Sequence, residues 1–432
     1  MTPYYQEERV SLFLGDCLDV MRSMESNSVD AIVTDPPYAL TGLSRNGSPR
    51  QNDPSTPFGR TKLGSKGGFM GKTWDAELPG LDVWTEALRV MKPGGHLLAF
   101  GGTRTYHRLA CLIEDAGWEI RDCLMWLYGS GFPKSLDVSK AIDKAAGAER
   151  EVGGHKVYAD GTKAHNSTQH HDGYKRPFMQ DPEWQGVKVT LPATDAAKQW
   201  AGWGTALKPA YEPILLARKP LDGTVAENVV RWRTGALNIA ACRIPVTDDA
   251  YARNCSGDRG HDENRSRKMD FAMTAGKAGT GRWPANVIHD GSEEVVSAFP
   301  QAPGQQRPVG PHHGRKSSIH VYADYGPRQP FEPRGDSGLA SRFFYTAKAT
   351  PAERMAPTGD DNTHPTVKPI ALITYLLKLI VPSHGLVLDP FVGSGTCLVA
   401  ARELGLSAIG IDREEEYCQL AVKRLAQGVL PL

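Results

Sequence analysis

The stretch Leu386-Val387-Leu388-Asp389-Pro390-Phe391-Val392-Gly393-Ser394-Gly395-Thr396 passes from an apolar strand into a glycine-bearing loop and then into a helix. The strand breaks at Asp389-Pro390, and helical spacing resumes over 396–404. Gly393 and Gly395 let the backbone pass close to a ligand, and the helix N-terminus favours a carboxylate. The loop is neither GxGxxG nor a phosphate loop closing in GK[ST], so dinucleotides and nucleoside triphosphates fit it poorly. A second strand over 407–411 runs into Asp412, and a helix follows over 413–426. An acid at that place can hold a ribose diol, and it can also cap the helix. This order of elements is a βαβ segment of a parallel sheet.

The same alternation opens the chain. Strands are read at 10–14, 30–34, 96–100 and 118–127. Helices are read over 81–91, stopped by Lys92-Pro93-Gly94-Gly95, and over 103–116. A further amphipathic helix is read over 367–380, ahead of the glycine loop. The expected fold class is therefore α/β, a doubly wound and mostly parallel sheet. The two βαβ zones, 1–134 and 343–432, are read as halves of one core. Between them, 135–342 reads as a large insert, rich in Gly, Pro, His and Trp, with a core strand near 211–218.

Directly after the strand 30–34 comes Asp35-Pro36-Pro37-Tyr38. An exocyclic amine on a nucleobase is a poor nucleophile, because its lone pair is delocalised into the ring. Two acceptors aimed at its N–H bonds favour a pyramidal nitrogen and localise that pair. The Asp35 carboxylate can supply one acceptor and the Pro36 carbonyl the other. Proline fixes φ, which stiffens the turn through Pro36 and Pro37 and sets the carbonyl direction. Tyr38 offers a flat face for an extruded base.

Composition sets bounds. The 432 residues exceed one ordinary domain, and 40% hydrophobic with 23% charged residues fits a globular chain. No apolar run approaches a membrane span, and the start MTPYYQEERVSLFLGD lacks the plan of a signal peptide. Seven cysteines without a CxxC pair argue against a disulfide framework or zinc site and suit a reducing cytoplasm. No metal is expected, and the pairs His170-His171 and His312-His313 lack ligand spacing. Trp74, Trp126 and Trp203 are read as core or pocket wall. The formal net charge is only +1, yet the stretch from Thr41 to Lys72 carries Arg45, Arg50, Arg60, Lys62, Lys66 and Lys72 against a single acid, Asp53. Those six residues are read as a loop that orders over DNA phosphates.

Taken together, the motifs carry a resemblance. The chain resembles the β group of DNA amino-methyltransferases, in which the catalytic DPPY comes first and the cofactor loop late. Gly15-Asp16-Cys17 before Asp35-Pro36-Pro37-Tyr38 is similar to that group's opening, and His364-Pro365-Thr366-Val367-Lys368-Pro369 before the glycine loop is similar to its close. Gly281-Arg282-Trp283-Pro284-Ala285-Asn286 and Arg342-Phe343-Phe344-Tyr345 resemble phage- and prophage-type members.

The resemblance implies a circularly permuted methyltransferase fold that binds S-adenosylmethionine. Its cofactor residues would be Asp16, Cys17, Asp35, Thr366, Lys368, Asp389, Phe391, Gly393, Ser394, Gly395, Thr396 and Asp412. Within this set Asp412 would hold the ribose, Asp16 the adenine amino group, and Thr366 and Lys368 the methionine end. Asp35, Pro36, Pro37 and Tyr38 would act on the target base. Implied too are double-stranded DNA as partner, a homodimer, and an orphan modification enzyme rather than a fused one. Asp35 favours adenine N6 as the target, with cytosine N4 the next reading. RNA or protein-amide methylation and a DNA-binding protein without catalysis are the remaining alternatives.

Overall fold

The computed structural model describes residues 1–39, 77–131, 135–155, 188–245, 281–303, 337–347 and 367–426. Its strands are β1 Tyr5–Gln6, β2 Val10–Leu14, β3 Val29–Thr34, β4 Met91–Phe100, β5 Glu119–Leu127, β6 Val152–His155, β7 Lys188–Thr190, β8 Tyr211–Arg218, β9 Val287–His289, β10 Tyr345–Thr346, β11 Leu386–Asp389 and β12 Ser407–Asp412. All but β6 and β7 join one sheet in the order β1-β2-β12-β11-β3-β4-β8-β5-β9-β10. Pairing from β2 across to β4 is parallel, and so is that of β5 with β9 and β10. β8 runs against both its neighbours, and β1 folds back antiparallel on β2.

Period-two alternation divides the strand residues between two cores. Val387, Ala31, Val33, Leu98 and Ile214 face one side, where Leu372, Leu376, Leu398 and Ala421 of the late helices cover them. Leu388, Ile32, Leu97, Ala99 and Leu215 face the other, under Val20, Met21, Trp84, Ala87, Leu109 and Ile113. The covering helices are Ile370–Ile380, Thr396–Glu403 and Glu415–Ala426 on the first face, and Cys17–Ser23, Leu81–Val90 and Tyr106–Asp115 on the second. The sheet is thus wound on both faces. β11 and β3 lie side by side at its centre, Leu388 beside Ile32, although they come from opposite ends of the chain. Asp30, buried in β3, ties this centre together by accepting from Leu386 N at 2.7 Å and Lys92 Nζ at 2.6 Å.

Some elements differ from the sequence reading. Lys92-Pro93-Gly94-Gly95 does end the helix, but the chain enters β4 at once, so the strand spans Met91–Phe100 rather than 96–100. The helix Cys17–Ser23 was not read, and neither were Val138–Ala145 and Val225–Trp232 inside the supposedly irregular region.

The chain forms two compact units, Met1–Gly129 with Ala210–Leu432, and Ser130–Pro209. The second is shorter than the 135–342 stretch read as one insert, because β8 returns the chain to the sheet at Tyr211. Within the second unit, the antiparallel pair β6–β7 and the helices Val138–Ala145 and Asp195–Gln199 gather around one buried carboxylate. Asp143 accepts from Arg150 Nη1 at 2.5 Å, from Thr194 Oγ1 at 2.8 Å, and from the backbone N–H groups of Ala193 and Thr194 at 3.0 Å each. Among the described residues, no helix is long and apolar enough to cross a membrane.

Candidate active site

Of four adjacent parallel strands, β12 and β11 end in Asp412 and Asp389, while β3 is followed at once by Asp35 and β2 two residues on by Asp16. Parallel strands put their carboxyl ends on one side of a sheet, which is where ligands of open α/β folds bind. The late glycine loop and the early Asp-Pro-Pro-Tyr turn therefore meet at one edge. Thr34 fixes the meeting by donating its hydroxyl to Asp389 Oδ1 at 2.7 Å.

Around the turn, four polar side chains converge. Tyr38 donates its hydroxyl to Asp35 Oδ1 at 2.6 Å, and Lys368 Nζ donates to Asp35 Oδ2 at 2.7 Å. Glu212 Oε2 lies 3.1 Å from the same Nζ. The Lys368 side chain is only 6% exposed, and its ammonium stands over the rings of Phe100 and Tyr38, at 4.9 and 5.5 Å from their centroids. Burial alone would lower the lysine pKa, but the Asp35 and Glu212 charges more than reverse this and hold it above the usual value. The Tyr38 hydroxyl is driven well above its usual range by burial and then by the same two carboxylates. Tyr128, just beyond β5, is pushed up to about 12 by burial, with Glu212 adding to the shift.

Glu212 was not picked out from the sequence. It sits near the start of β8, opposite Trp126 near the end of β5. Because β8 runs against its neighbours, its beginning lies at the edge where the parallel strands end. A charged residue just ahead of the apolar run Pro213-Ile214-Leu215-Leu216-Ala217 was the available signal.

The glycine loop is held from behind. Gly393 adopts φ 50° and donates its N–H to Asp412 Oδ2 at 2.9 Å, while Asp412 Oδ1 accepts from Glu414 N at 2.9 Å. Asp412 thus caps the final helix and braces the loop at once. At Gly395, φ is 80°, and a Cβ there would lie 2.7 Å from that of Ala421. Arg424 Nη1 donates to Ser394 O at 2.8 Å, Ser394 Oγ at 3.0 Å and Thr396 Oγ1 at 2.9 Å, so both hydroxyls of the loop serve its own structure. Burial pushes the Asp389 carboxyl up to about 7 and that of Asp412 up to about 6. Phe391, half-buried, leans on the second core.

The remaining sequence-read residues fall as follows. Asp16 is exposed and caps the helix Cys17–Ser23 by accepting from Leu18 N at 2.8 Å. The half-buried Cys17 thiol is pushed up to about 12 by burial, and then by Asp16, which leaves it un-ionised at neutral pH. Pro36 is buried and Pro37 half-buried beside Asp35. Lys368, expected near the methionine end, stands on Asp35. Trp126 is half-buried against the first core, but Trp203 is 60% exposed and is not a pocket wall within its unit. Thr366, Trp74, Arg45, Arg50, Arg60, Lys62, Lys66, Lys72 and the two histidine pairs lie outside the described residues.

A donor-rich, cationic ligand suits this edge. Its carboxylates keep free lone pairs for hydroxyl and amino donors, since each oxygen can accept more than one bond. The close packing of Gly395 on Ala421 brings the loop backbone to where a side chain would otherwise intrude.

Comparison with known proteins gives the following likenesses. The model of a DNA methylase family, of the N6/N4 methyltransferase kind, matches residues 29–423. The chain is 20% identical over 431 residues to the Type II methyltransferase M.HindIII of Haemophilus influenzae, covering 96% of this chain and 94% of that protein. Over 65 residues it is 46% identical to the Type II methyltransferase M2.LlaDCHI of Lactococcus lactis subsp. cremoris, covering 15% of this chain and 24% of that one. Among solved structures, the PvuII DNA methyltransferase, described as cytosine-N4-specific, aligns with a TM-score of 0.43 at 12% identity, covering 99% of this chain and 90% of that one.

Proposed function

The chain belongs to the DNA methylase family of N6/N4 methyltransferases, and from that premise we propose that it methylates N6 of an adenine flipped out of double-stranded DNA. S-adenosylmethionine, when bound, supplies the methyl group on its sulfonium. The observation that carries the reading is the contact of Thr34 with Asp389, which joins the turn bearing Asp35 to the loop bearing Gly393 at one sheet edge.

The residues divide the work. Asp412, Asp389, Phe391 and the backbone of Gly393 to Gly395 would hold the cofactor. Asp35 accepts one amine N–H, and the Pro36 carbonyl the other. Both acceptors localise the nitrogen lone pair and aim it at the methyl carbon, so positioning supplies most of the rate. Transfer would break the sulfonium–methyl bond and leave S-adenosylhomocysteine as the neutral thioether. The amine becomes more acidic as it gains the methyl group, so its proton passes to Asp35 or to solvent during or after transfer and need not be removed first. Tyr38, with its hydroxyl anchored on Asp35, holds its ring beside the place of the base. Arg45, Arg50, Arg60, Lys62, Lys66 and Lys72 are proposed to contact DNA phosphates, and the protein is proposed to act as a homodimeric, stand-alone modification enzyme.

Tritiated S-adenosylmethionine and unmethylated bacterial DNA test the proposal. After digestion to nucleosides, the label is expected in N6-methyladenine. Label in N4-methylcytosine would replace adenine by cytosine. Absence of label from DNA, with cofactor bound, would overturn the enzymatic reading.

A further inference from the structure

Glu212 has no part in the reaction as described above, yet it is built into the same cluster. The cluster holds two carboxylates, Asp35 and Glu212, and one ammonium, Lys368. Both Asp35 oxygens already have a partner, Tyr38 on one and Lys368 on the other. If Lys368 had only Asp35 as counter-ion, the pair would be neutral, and the acceptor meant for the base amine would be spent on the lysine. The second carboxylate changes this balance. Lys368 has three N–H donors, and the ammonium lies within reach of Glu212 Oε2 at 3.1 Å, Asp35 Oδ2 at 2.7 Å and the Tyr38 hydroxyl at 3.3 Å. One net negative charge is left over at the edge where an amine must bind and become cationic.

Resting on the methyltransferase reading, we infer that Glu212 is a positioning residue: it is the standing counter-ion of Lys368, and so keeps the Asp35 carboxylate charged and available to the target amine. Lys368 in turn prevents two neighbouring carboxylates from repelling each other. The antiparallel entry of β8 explains why this acid comes from that strand. The other titratable groups facing the cluster are Tyr38, Tyr128 and Asp389. Tyr38 and Tyr128 are held un-ionised by burial and the nearby carboxylates, and Asp389 is pushed up to about 7 by burial. Of these three, Asp389 is the one that changes charge near neutral pH.

The test is charge balance. Glu212→Gln makes the cluster neutral, Lys368→Met leaves two unpaired carboxylates, and the double variant restores one net negative charge. Single-turnover transfer from tritiated S-adenosylmethionine to unmethylated bacterial DNA is expected to slow about tenfold or more in Glu212→Gln, with cofactor affinity unchanged. The double variant should regain most of that loss. In Lys368→Met the acid limb of the pH–rate profile should move up by about one unit, because two facing carboxylates cannot both ionise easily. A Glu212→Gln variant with native rate, or a double variant no faster than Glu212→Gln, overturns the inference.

The coupling is also read without turnover. The melting temperature of Lys368→Met should fall more steeply than that of the native chain as pH rises from about 5 to 8, as its two unpaired acids add to the loss from Asp389 and Asp412, and the double variant should return to the native slope. A slope in Lys368→Met no steeper than the native one overturns the inference independently of activity. The native chain in the transfer assay judges the methyltransferase reading by itself, so the two failures are distinguishable.

Discussion

Thr34 and Asp389 share a hydrogen bond of 2.7 Å across neighbouring strands, although 355 positions separate them in the chain. The bond joins the end of the strand that leads into the Asp35-Pro36-Pro37-Tyr38 turn to the end of the strand that leads into the glycine loop. A base engaged by the turn and a cofactor engaged by the loop would then reach each other without further movement of the sheet.

Removing the carboxylate at position 35 should separate chemistry from binding. Asp35→Ala is expected to reduce methyl transfer by about a thousandfold or more, because an acceptor aligned on the reacting nitrogen is lost. Lys368 retains Glu212 as a counter-ion, so the fold should persist. Binding of S-adenosylmethionine by calorimetry should stay close to native. Near-native turnover would remove Asp35 from the reaction.

The raised carboxyls predict a pH dependence of cofactor binding. Burial lifts Asp389 to about 7 and Asp412 to about 6. Their folded values lie above the unfolded one, so the free protein loses stability as pH rises through this range. A cationic, donor-rich ligand favours the ionised forms, so affinity for S-adenosylmethionine should rise from about pH 5 to 7.5. Thr34→Val removes a bond that lowers the Asp389 value. Its affinity curve should therefore shift to higher pH, by about one unit. Calorimetry across that range, showing flat affinity in the native protein, would defeat this account.

The loop should tolerate no side chain at position 395. Gly395→Ala forces a left-handed φ on an alanine and drives its Cβ to 2.7 Å from Ala421 Cβ. The two penalties together should cost about 3 kcal/mol in denaturant unfolding. A change below about 1 kcal/mol would show that the loop and the final helix separate easily.

Much of this architecture was legible because strands, breakers and glycines act locally. The Asp389-Pro390 break, the glycine loop and the Asp35-Pro36-Pro37-Tyr38 turn each sit where the sequence placed them. What escaped depends on contacts distant in sequence. Glu212 reaches the edge only because β8 runs antiparallel, and a strand's direction is not written in its residues. Arg424 reaches the Ser394 and Thr396 hydroxyls from 30 and 28 positions away, so their part in supporting the loop could not be read locally. The helix Val225–Trp232 was legible but missed: Thr224 and Glu227 form a reciprocal capping box whose spacing announces a helix start. Asp16 caps the helix Cys17–Ser23, a local role that its place just after a strand and just before a helix already suggested.

The unit Ser130–Pro209 should be the acid-sensitive part of the chain, and one residue accounts for it. Asp143 is buried, which alone would raise its pKa, but two backbone N–H groups, Thr194 and Arg150 outweigh burial and hold it near about 2. An unfolded aspartate titrates near about 3.9. With the folded value depressed, the group stabilises the unit fully above about pH 4, and that contribution is lost as pH falls toward about 2. Asp143→Asn keeps the shape but leaves Arg150 without its counter-ion and turns one acceptor into a donor facing the Ala193 and Thr194 amides. Hydrogen exchange should show the amides of Ala193 and Thr194 losing protection at neutral pH in the variant, and the native unit losing it only in acid. Because these bonds lie entirely within Ser130–Pro209, amides of the central strands β3 and β11 should keep their protection in the variant. Equal loss in those strands would mean that Asp143 supports the whole chain rather than its own unit.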